Sequence, residues 1–201
     1  MVSQNNKINN FDIYQLIDKE IINKLKGIID KKRFFHSLNV AKIAVILAYK
    51  FKVNKKKAAL AGLLHDCAKT LSLNKSKKYL FDFEDDILKD TPAIWHSYAG
   101  YFYAKKVFNV KDKKILNAIK YHTVGFPDMD KLAKIIYVAD FIEFGRDYVQ
   151  SKKISKLIRK RNLSLDNMVL LVLKEKLLYL LKNRKKIHIN SIKLYNKLLK
   201  K

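Results

Sequence analysis

Apolar residues recur every three or four positions along most of this chain, which is the spacing of a helix face packed on a core. From Ile13 to Ile28 they fall at Leu16, Ile17, Ile21 and Leu25, which reads as one amphipathic helix. A second helix is predicted from Lys32 to Phe51, with Leu38, Ala41, Val45 and Ala48 along one stripe. Asn54 is placed to cap a third, Lys55 to Lys69. A short helix follows Ser72. Thr91-Pro92 is a start signal, Thr as the N-cap and Pro at the first helical position, for a helix reaching Phe108. Lys111 to His122 forms the next, closed by Gly125 and Pro127. Asp130 caps a helix through Phe144 that stops at Gly145. Ser164, with Asp166 in the first turn, opens Leu165 to Lys182, and Asn190 caps the last helix. No segment alternates as a strand does, so the predicted fold class is all-α. The first ten residues and the two final lysines are expected to fray.

Length changes this picture little. At 201 residues with 49% apolar content, one domain with a real core is expected, spanning 11–199. Its core would be 32–148, followed by C-terminal helices over 154–199. A single cysteine, Cys67, excludes an internal disulfide framework and suits a reducing cytoplasm. The opening MVSQNNKINN has none of the apolar stretch of a secretory signal. The longest apolar runs, such as Ile43 to Tyr49, fall far short of the ~20 residues that cross a bilayer, so no membrane association is expected.

The formal charge of +25 first suggests a nucleic-acid partner. The chain is also crowded with Lys, Asn, Ile, Tyr and Phe, as an AT-rich coding sequence would give. Only five of its 43 basic residues are Arg, whereas phosphate and base readers favour the planar Arg fork. We read the charge as compositional drift with a modest benefit for anionic substrates, and expect no stable nucleic-acid partner. The scarce arginines are then informative by position. Arg33 lies three residues before His36, and Arg146 six after Asp140.

Four of the five histidines and two aspartates form an ordered set: His36, then His65-Asp66, His96, His122 and Asp140. A lone His in a helix is usually a core residue. Here nearly the whole supply falls on apolar helix faces, His65 after Ala61-Gly62-Leu63-Leu64 and His96 after Ala93-Ile94-Trp95. Asp140 interrupts Ile135-Ile136-Tyr137-Val138-Ala139, where a carboxylate is costly unless paired or metal-bound. Imidazole and carboxylate suit first-row metals such as iron, manganese or cobalt. Six ligands exceed one tetrahedral ion, so a two-metal site is expected. On a helix His65 and Asp66 would diverge by about 100° and flank one centre, with Asp66 able to bridge. Lys69 would reach the same mouth one turn on, and Arg33 shares a helix face with His36. Cations around such a centre favour phosphoryl chemistry. No Gly-rich phosphate loop and no Gly-x-Ser-x-Gly elbow is present, and Cys67 reads as a small buried residue.

These pieces resemble the HD-domain metal-dependent phosphohydrolases and, within them, the YqeK family of symmetrical bis(5'-nucleosyl)-tetraphosphatases. The matching segments are Arg33-Phe34-Phe35-His36-Ser37, Gly62 to Lys69, Trp95-His96-Ser97, Tyr121 to Gly125, and Tyr137 to Asp147. The resemblance implies an HD-domain helical bundle holding a di-iron centre. It implies hydrolysis of diadenosine tetraphosphate to two ADP, the dinucleoside polyphosphate and ADP being the partners; a homodimer is a candidate assembly. His36, His65, Asp66 and Asp140 would hold one iron, and His96 and His122 the second, with Asp66 bridging. Asp66 and Lys69 would be the catalytic residues. Arg33, Lys69, Thr123 and Arg146 would contact phosphates, and the ligands His36, Asp66, His96, His122 and Asp140 would also border the substrate. The C-terminal helices would complete the nucleotide pocket through Ile187 and His188. Family members carry a glycine-containing turn there; this chain reads Asn183-Arg184-Lys185-Lys186-Ile187-His188-Ile189. His188 reads equally as a surface or helix-cap residue. Rival readings are an HD hydrolase for deoxynucleotides, nucleoside monophosphates or a guanosine alarmone, a basic helical RNA-binding protein, and a degenerate metal-holding module.

Overall fold

The computed structural model describes residues 12–80, 92–145 and 149–200. Among them the regular structure is helical, with no strand. A short 3-10 turn, Ile13–Gln15, leads into α1 (Lys19–Ile28), α2 (Lys31–Lys50), α3 (Lys55–Leu64) and α4 (Leu73–Leu80). After a second 3-10 turn, Pro92–Ile94, come α5 (Trp95–Val107), α6 (Lys113–Tyr121) and α7 (Lys131–Ile142). Three further helices, α8 (Val149–Lys160), α9 (Leu165–Lys182) and α10 (Ile189–Leu199), complete the chain.

Capping explains most of these boundaries. The side chains of Asp30, Asn54, Asp112, Asp130 and Ser164 each accept from a backbone N–H in the first turn of the helix that follows. The expected single helix from Ile13 to Ile28 is two pieces, because Asp12 accepts from the Tyr14 amide and Asp18 from the Glu20 amide, each starting its own turn. The last helix begins at Ile189 rather than after Asn190; His188 is its N-cap, its Nδ1 accepting from the Asn190 amide. The helix over Val149–Lys160 starts five residues ahead of the expected C-terminal group. Thr91, the expected cap before Pro92, lies outside the described residues.

The axis of the core is α7. It packs on α2, α3, α6, α8 and α9, and is apolar around its whole circumference, with Leu132, Ile135, Ile136, Tyr137 and Val138 buried. The broadest helix pair is α2 on α3. A Cβ on Gly62 would fall 2.7 Å from the Ala41 Cα, so these two helices meet backbone to backbone. That close approach brings the end of α3 to the side of α2 that carries His36.

Candidate metal centre

Helix ends deliver most of the predicted ligands. His65 directly follows α3 as its C-cap, and His122 does the same for α6. His96 is the second residue of α5, while His36 lies in the second turn of α2 and Asp140 in the last turn of α7. The expected helix through Lys69 ends at Leu64. Residues 65–70 wind instead as tight turns, with the Cys67 amide donating to the Leu64 carbonyl and the Lys69 amide to that of Asp66. Three-residue winding separates His65 and Asp66 by about 120° rather than 100°.

The same device orients two of the imidazoles. The last four carbonyls of a helix have no partner within it. Near the end of α3 the Gly62 carbonyl accepts from His65 Nδ1 at 2.8 Å, and near the end of α6 the Ile119 carbonyl accepts from His122 Nδ1 at 2.8 Å. His36 Nδ1 is engaged by the buried Glu143, Oε1 at 3.3 Å, whose Oε2 accepts from the Gly145 amide at 2.6 Å. With Nδ1 carrying the proton, each ring turns a bare Nε2 toward the centre.

Those nitrogens converge in two groups that share one carboxylate. In the first, His36 Nε2 lies 3.2 Å from His65 Nε2 and 3.3 Å from Asp140 Oδ1; His65 Nε2 is 3.6 Å from Asp140 Oδ1 and 3.8 Å from Asp66 Oδ2. In the second, His96 Nε2 lies 3.2 Å from His122 Nε2, and the two are 3.2 and 3.5 Å from Asp66 Oδ1. Asp66 thus turns one oxygen to each group.

Protons alone do not account for this arrangement. Burial pushes His122 down to about 4 and lowers His96, with Asp66 only partly offsetting it, so both are neutral near pH 7. Burial opposes the charge of Asp66, but His65 and the contacts with His122 and His96 outweigh it and hold this carboxyl well below its ordinary value. Protonating His122 at Nε2, with Nδ1–H already committed, would require a buried imidazolium. Asp66 Oδ1 is itself buried without a hydrogen-bond partner. Lone pairs facing lone pairs and an anion at these distances repel unless a cation lies between them, and the donor set is one that first-row ions accept. The residues present therefore fit a metal centre.

The second group opens into a cavity of about 930 Å³. Lys69 Nζ lies 2.9 Å from His96 Nε2 at its mouth, and Thr123 Oγ1 is 3.0 Å from His122 Nε2. His188, besides capping α10, lines this cavity; Ile187 is half-buried beside it and is not part of the lining. Arg33 also stands off the lining and pairs with Asp30 at 3.1 Å. Arg146 lies outside the described residues. Burial pushes the Cys67 thiol up, which removes it as a nucleophile.

Six contributors carried no assigned role in the sequence reading. Glu143 follows a long apolar run, the same signal that marked Asp140. Lys176 crosses from α9 and donates to the carbonyls of His122 and Thr123 at 3.1 and 3.2 Å, with its Nζ 3.9 Å from the centre of the Tyr137 ring. Tyr137 is buried in the cavity lining. Arg184, with Lys185 and Lys186, lines the C-terminal wall. A lysine among 43 basic residues gives no such signal in sequence.

Comparison with known proteins agrees with this geometry. The HD domain family matches residues 33–145. The chain is 30% identical over 180 residues to the symmetrical bis(5'-nucleosyl)-tetraphosphatase of Bacillus subtilis, covering 89% of this chain and 95% of that protein. The enzyme of the same description from Staphylococcus aureus is 32% identical, with 83% of each chain covered. A Mycoplasma genitalium protein described as a probable nicotinate-nucleotide adenylyltransferase/Ap4A hydrolase is 38% identical over 77% of this chain but only 45% of its own length. Among solved structures, a predicted HD superfamily hydrolase involved in NAD metabolism from Clostridium acetobutylicum superposes with a TM-score of 0.80 at 32% identity, covering 90% of this chain and 96% of that one. With the metal-ligand pattern and the fold in agreement, the chain belongs to the HD-domain family, in the YqeK-type group that holds the symmetrical tetraphosphatases.

Proposed function

We propose that this protein hydrolyses diadenosine tetraphosphate symmetrically to two ADP. The observation that carries the reading is one buried carboxylate, Asp66, shared between two groups of inward-facing imidazole nitrogens at the floor of a cation-bordered cavity. His36, His65, Asp66 and Asp140 would hold one divalent ion, and Asp66, His96 and His122 a second. Iron is our assignment; manganese and cobalt suit the same donors. Such a pair, when bound, supplies Lewis acidity and a hydrolytic water of lowered pKa.

The chain's own residues account for the rest. Neutral His96 and His122 offer lone pairs without competing protons. Asp66, held ionised, offsets cationic charge. Lys69 and Thr123 border the second group and would meet the phosphates nearest the scissile bond, where negative charge grows on the departing ADP. Arg33 would approach from the His36 side, and Arg146 is our further candidate for phosphate contact. His188 and the half-buried Ile187 would border a nucleoside, and the C-terminal helices would complete a single domain around it. The cavity volume lies in the upper range for organic ligands, as a dinucleotide requires. The lone buried thiol and a nucleotide substrate both suit the cytoplasm.

The test is product analysis. Protein purified without oxygen is assayed for bound metal and for the products of diadenosine tetraphosphate, beside Asp66→Ala. The reading requires bound divalent metal, ADP as the sole product, and loss of both metal and turnover in the variant. AMP plus ATP would reject symmetrical cleavage. Turnover of a deoxynucleotide or a guanosine alarmone in place of this substrate would move the protein elsewhere within its family. Tight, salt-sensitive RNA binding that survives Asp66→Ala, without turnover, would support the RNA-binding reading.

A further inference from the structure

Among the described residues, three other than glycine adopt positive φ: Lys52 at 56°, Asn109 at 51° and Arg184 at 51°. Two of them occupy the same structural position. After α2 the Lys52 amide donates to the Tyr49 carbonyl and the Val53 amide to that of Ala48. After α9 the Arg184 amide donates to the Leu181 carbonyl and the Lys185 amide to that of Leu180. Each is the paired bond pattern of a helix C-terminus whose left-handed residue is most often glycine, since a Cβ is disfavoured there.

The two differ in surroundings. Lys52 is exposed and is not part of this cavity's lining, so it reports what such a residue does away from the site. Arg184 lines the active cavity with Lys185 and Lys186. Lys185 Nζ is occupied with the Tyr179 hydroxyl at 2.9 Å. Among the described residues no carboxylate pairs with Arg184, in contrast to Arg33 with Asp30. A guanidinium is a planar fork matched to phosphate oxygens, and here it stands at the wall of a cavity read as holding a four-phosphate chain.

We propose that Arg184 is a substrate-recognition residue that binds the phosphate chain of the dinucleotide, kept at a position where glycine would make the more stable helix end. This rests on the functional reading above and adds a residue to it. Arg184 makes its contact at the wall, so its contribution belongs to binding more than to the bond-breaking step.

Paired substitutions test it, with Lys52→Gly as the internal control. Lys52→Gly and Arg184→Gly should each raise Tm by about 2–4 °C, the shift that relief of one left-handed side chain gives in a chain of this size. Lys52→Gly should leave KM and kcat for diadenosine tetraphosphate unchanged. Arg184→Gly should raise KM about tenfold, as expected for loss of a charge-assisted hydrogen bond, with little change in kcat. It should weaken binding of ADP by a similar factor in titration calorimetry. Arg184→Lys should recover part of the affinity, with a weaker dependence on geometry. If Arg184→Gly gains the same Tm as Lys52→Gly while KM and ADP affinity stay at wild-type values, the proposal is overturned. If the wild-type protein does not release ADP from the tetraphosphate, the functional reading fails, and the ADP titration still decides whether Arg184 binds phosphate.

Discussion

The floor and the C-terminal wall of the cavity are built on opposite terms. On the floor, His65, Asp66, His96 and His122 are buried, and three of the four imidazoles are oriented by a named partner: the Gly62 carbonyl for His65, the Ile119 carbonyl for His122 and Glu143 for His36. On the wall, Tyr179 in α9 and Arg184, Lys185 and Lys186 just beyond its end are exposed, the three cations on long flexible side chains. Among the described residues of the C-terminal side, Lys176 donates to the carbonyls of His122 and Thr123, and Ser191 to that of Val124. The contrast separates two tasks. Ligands that must meet an ion within tenths of an ångström need partners that fix them, whereas gripping a flexible anion tolerates adjustable cations.

The strongest way to test that separation is to remove charge from the floor without changing its shape. Asp66→Asn is nearly isosteric and leaves the helices untouched. It replaces the only carboxylate common to both groups with an amide that has one acceptor oxygen. A loss of kcat/KM of at least about a thousandfold is expected, together with loss of bound metal. Metal counting beside far-UV circular dichroism distinguishes this from unfolding. Near wild-type turnover in a variant with normal metal content would refute the shared-carboxylate centre.

Glu143→Gln asks whether the floor depends on its supports. Besides the Asn39 side chain, the carboxylate serves two donors, His36 Nδ1 through Oε1 and the Gly145 amide through Oε2. An amide keeps one acceptor, so one of the two donors must be left unpaired. A roughly 10–100-fold fall in metal affinity or activity is expected, the range for partners that orient metal-bound histidines. Titration of metal into the chelated protein reads it. Equal affinity in the two proteins would show that His36 is held by packing alone.

Lys176→Met probes a strut between wall and floor. Methionine keeps the length of the side chain and its packing on Tyr137, but cannot donate to the two carbonyls. Misplacement of His122 and Thr123 should lower kcat by about tenfold while KM changes less. The opposite split, a raised KM at constant kcat, would make Lys176 a phosphate contact like its neighbours on the wall.

The same contrast governs what the sequence disclosed. Floor residues were legible because each violates its surroundings: Asp140 inside an apolar helix, His65-Asp66 after Gly62-Leu63-Leu64, nearly every histidine on an inward face. All-helical architecture was legible from periodicity, and the N-caps Asn54, Asp130 and Ser164 from their residue types, whereas the caps Asp12, Asp18, Asp30 and Asp112 went unread and the last helix is capped by His188 instead of Asn190. Three features were hidden. The break before α1 depends on Asp18 bonding the Glu20 amide, which competes with continuing a helix that the apolar spacing alone would extend. The stop of α3 at Leu64 depends on the His65 ring and the following tight turns, which helix periodicity does not register. The wall was obscured by composition, because Lys176 and Arg184 look like any other surface cation until α9 is folded against α7 and α10.

Asp112 supplies the smallest effect and the control for electrostatics remote from the cavity. It caps α6, accepting from the Lys114 and Ile115 amides, and pairs with Lys57 of α3 at 2.6 Å. The Lys57 contact is the largest influence on its carboxyl and, with the two amides, lowers it below the usual aspartate value. A lowered folded-state value means stability that is present above the unfolded value, about 3.9, and is lost as pH falls through the folded one. Asn caps nearly as well as Asp, so Asp112→Asn isolates the ion pair from the cap. The gap between wild type and Asp112→Asn should be about 0.2–1 kcal/mol near neutral pH, shrink in high salt, and close below pH ~4. Urea unfolding across that range reads it, with activity at neutral pH unchanged. A gap that does not narrow as pH falls below ~4 would assign the effect to cap geometry instead of charge. A loss of activity would show that α6 transmits strain at its first turn to His122 at its last.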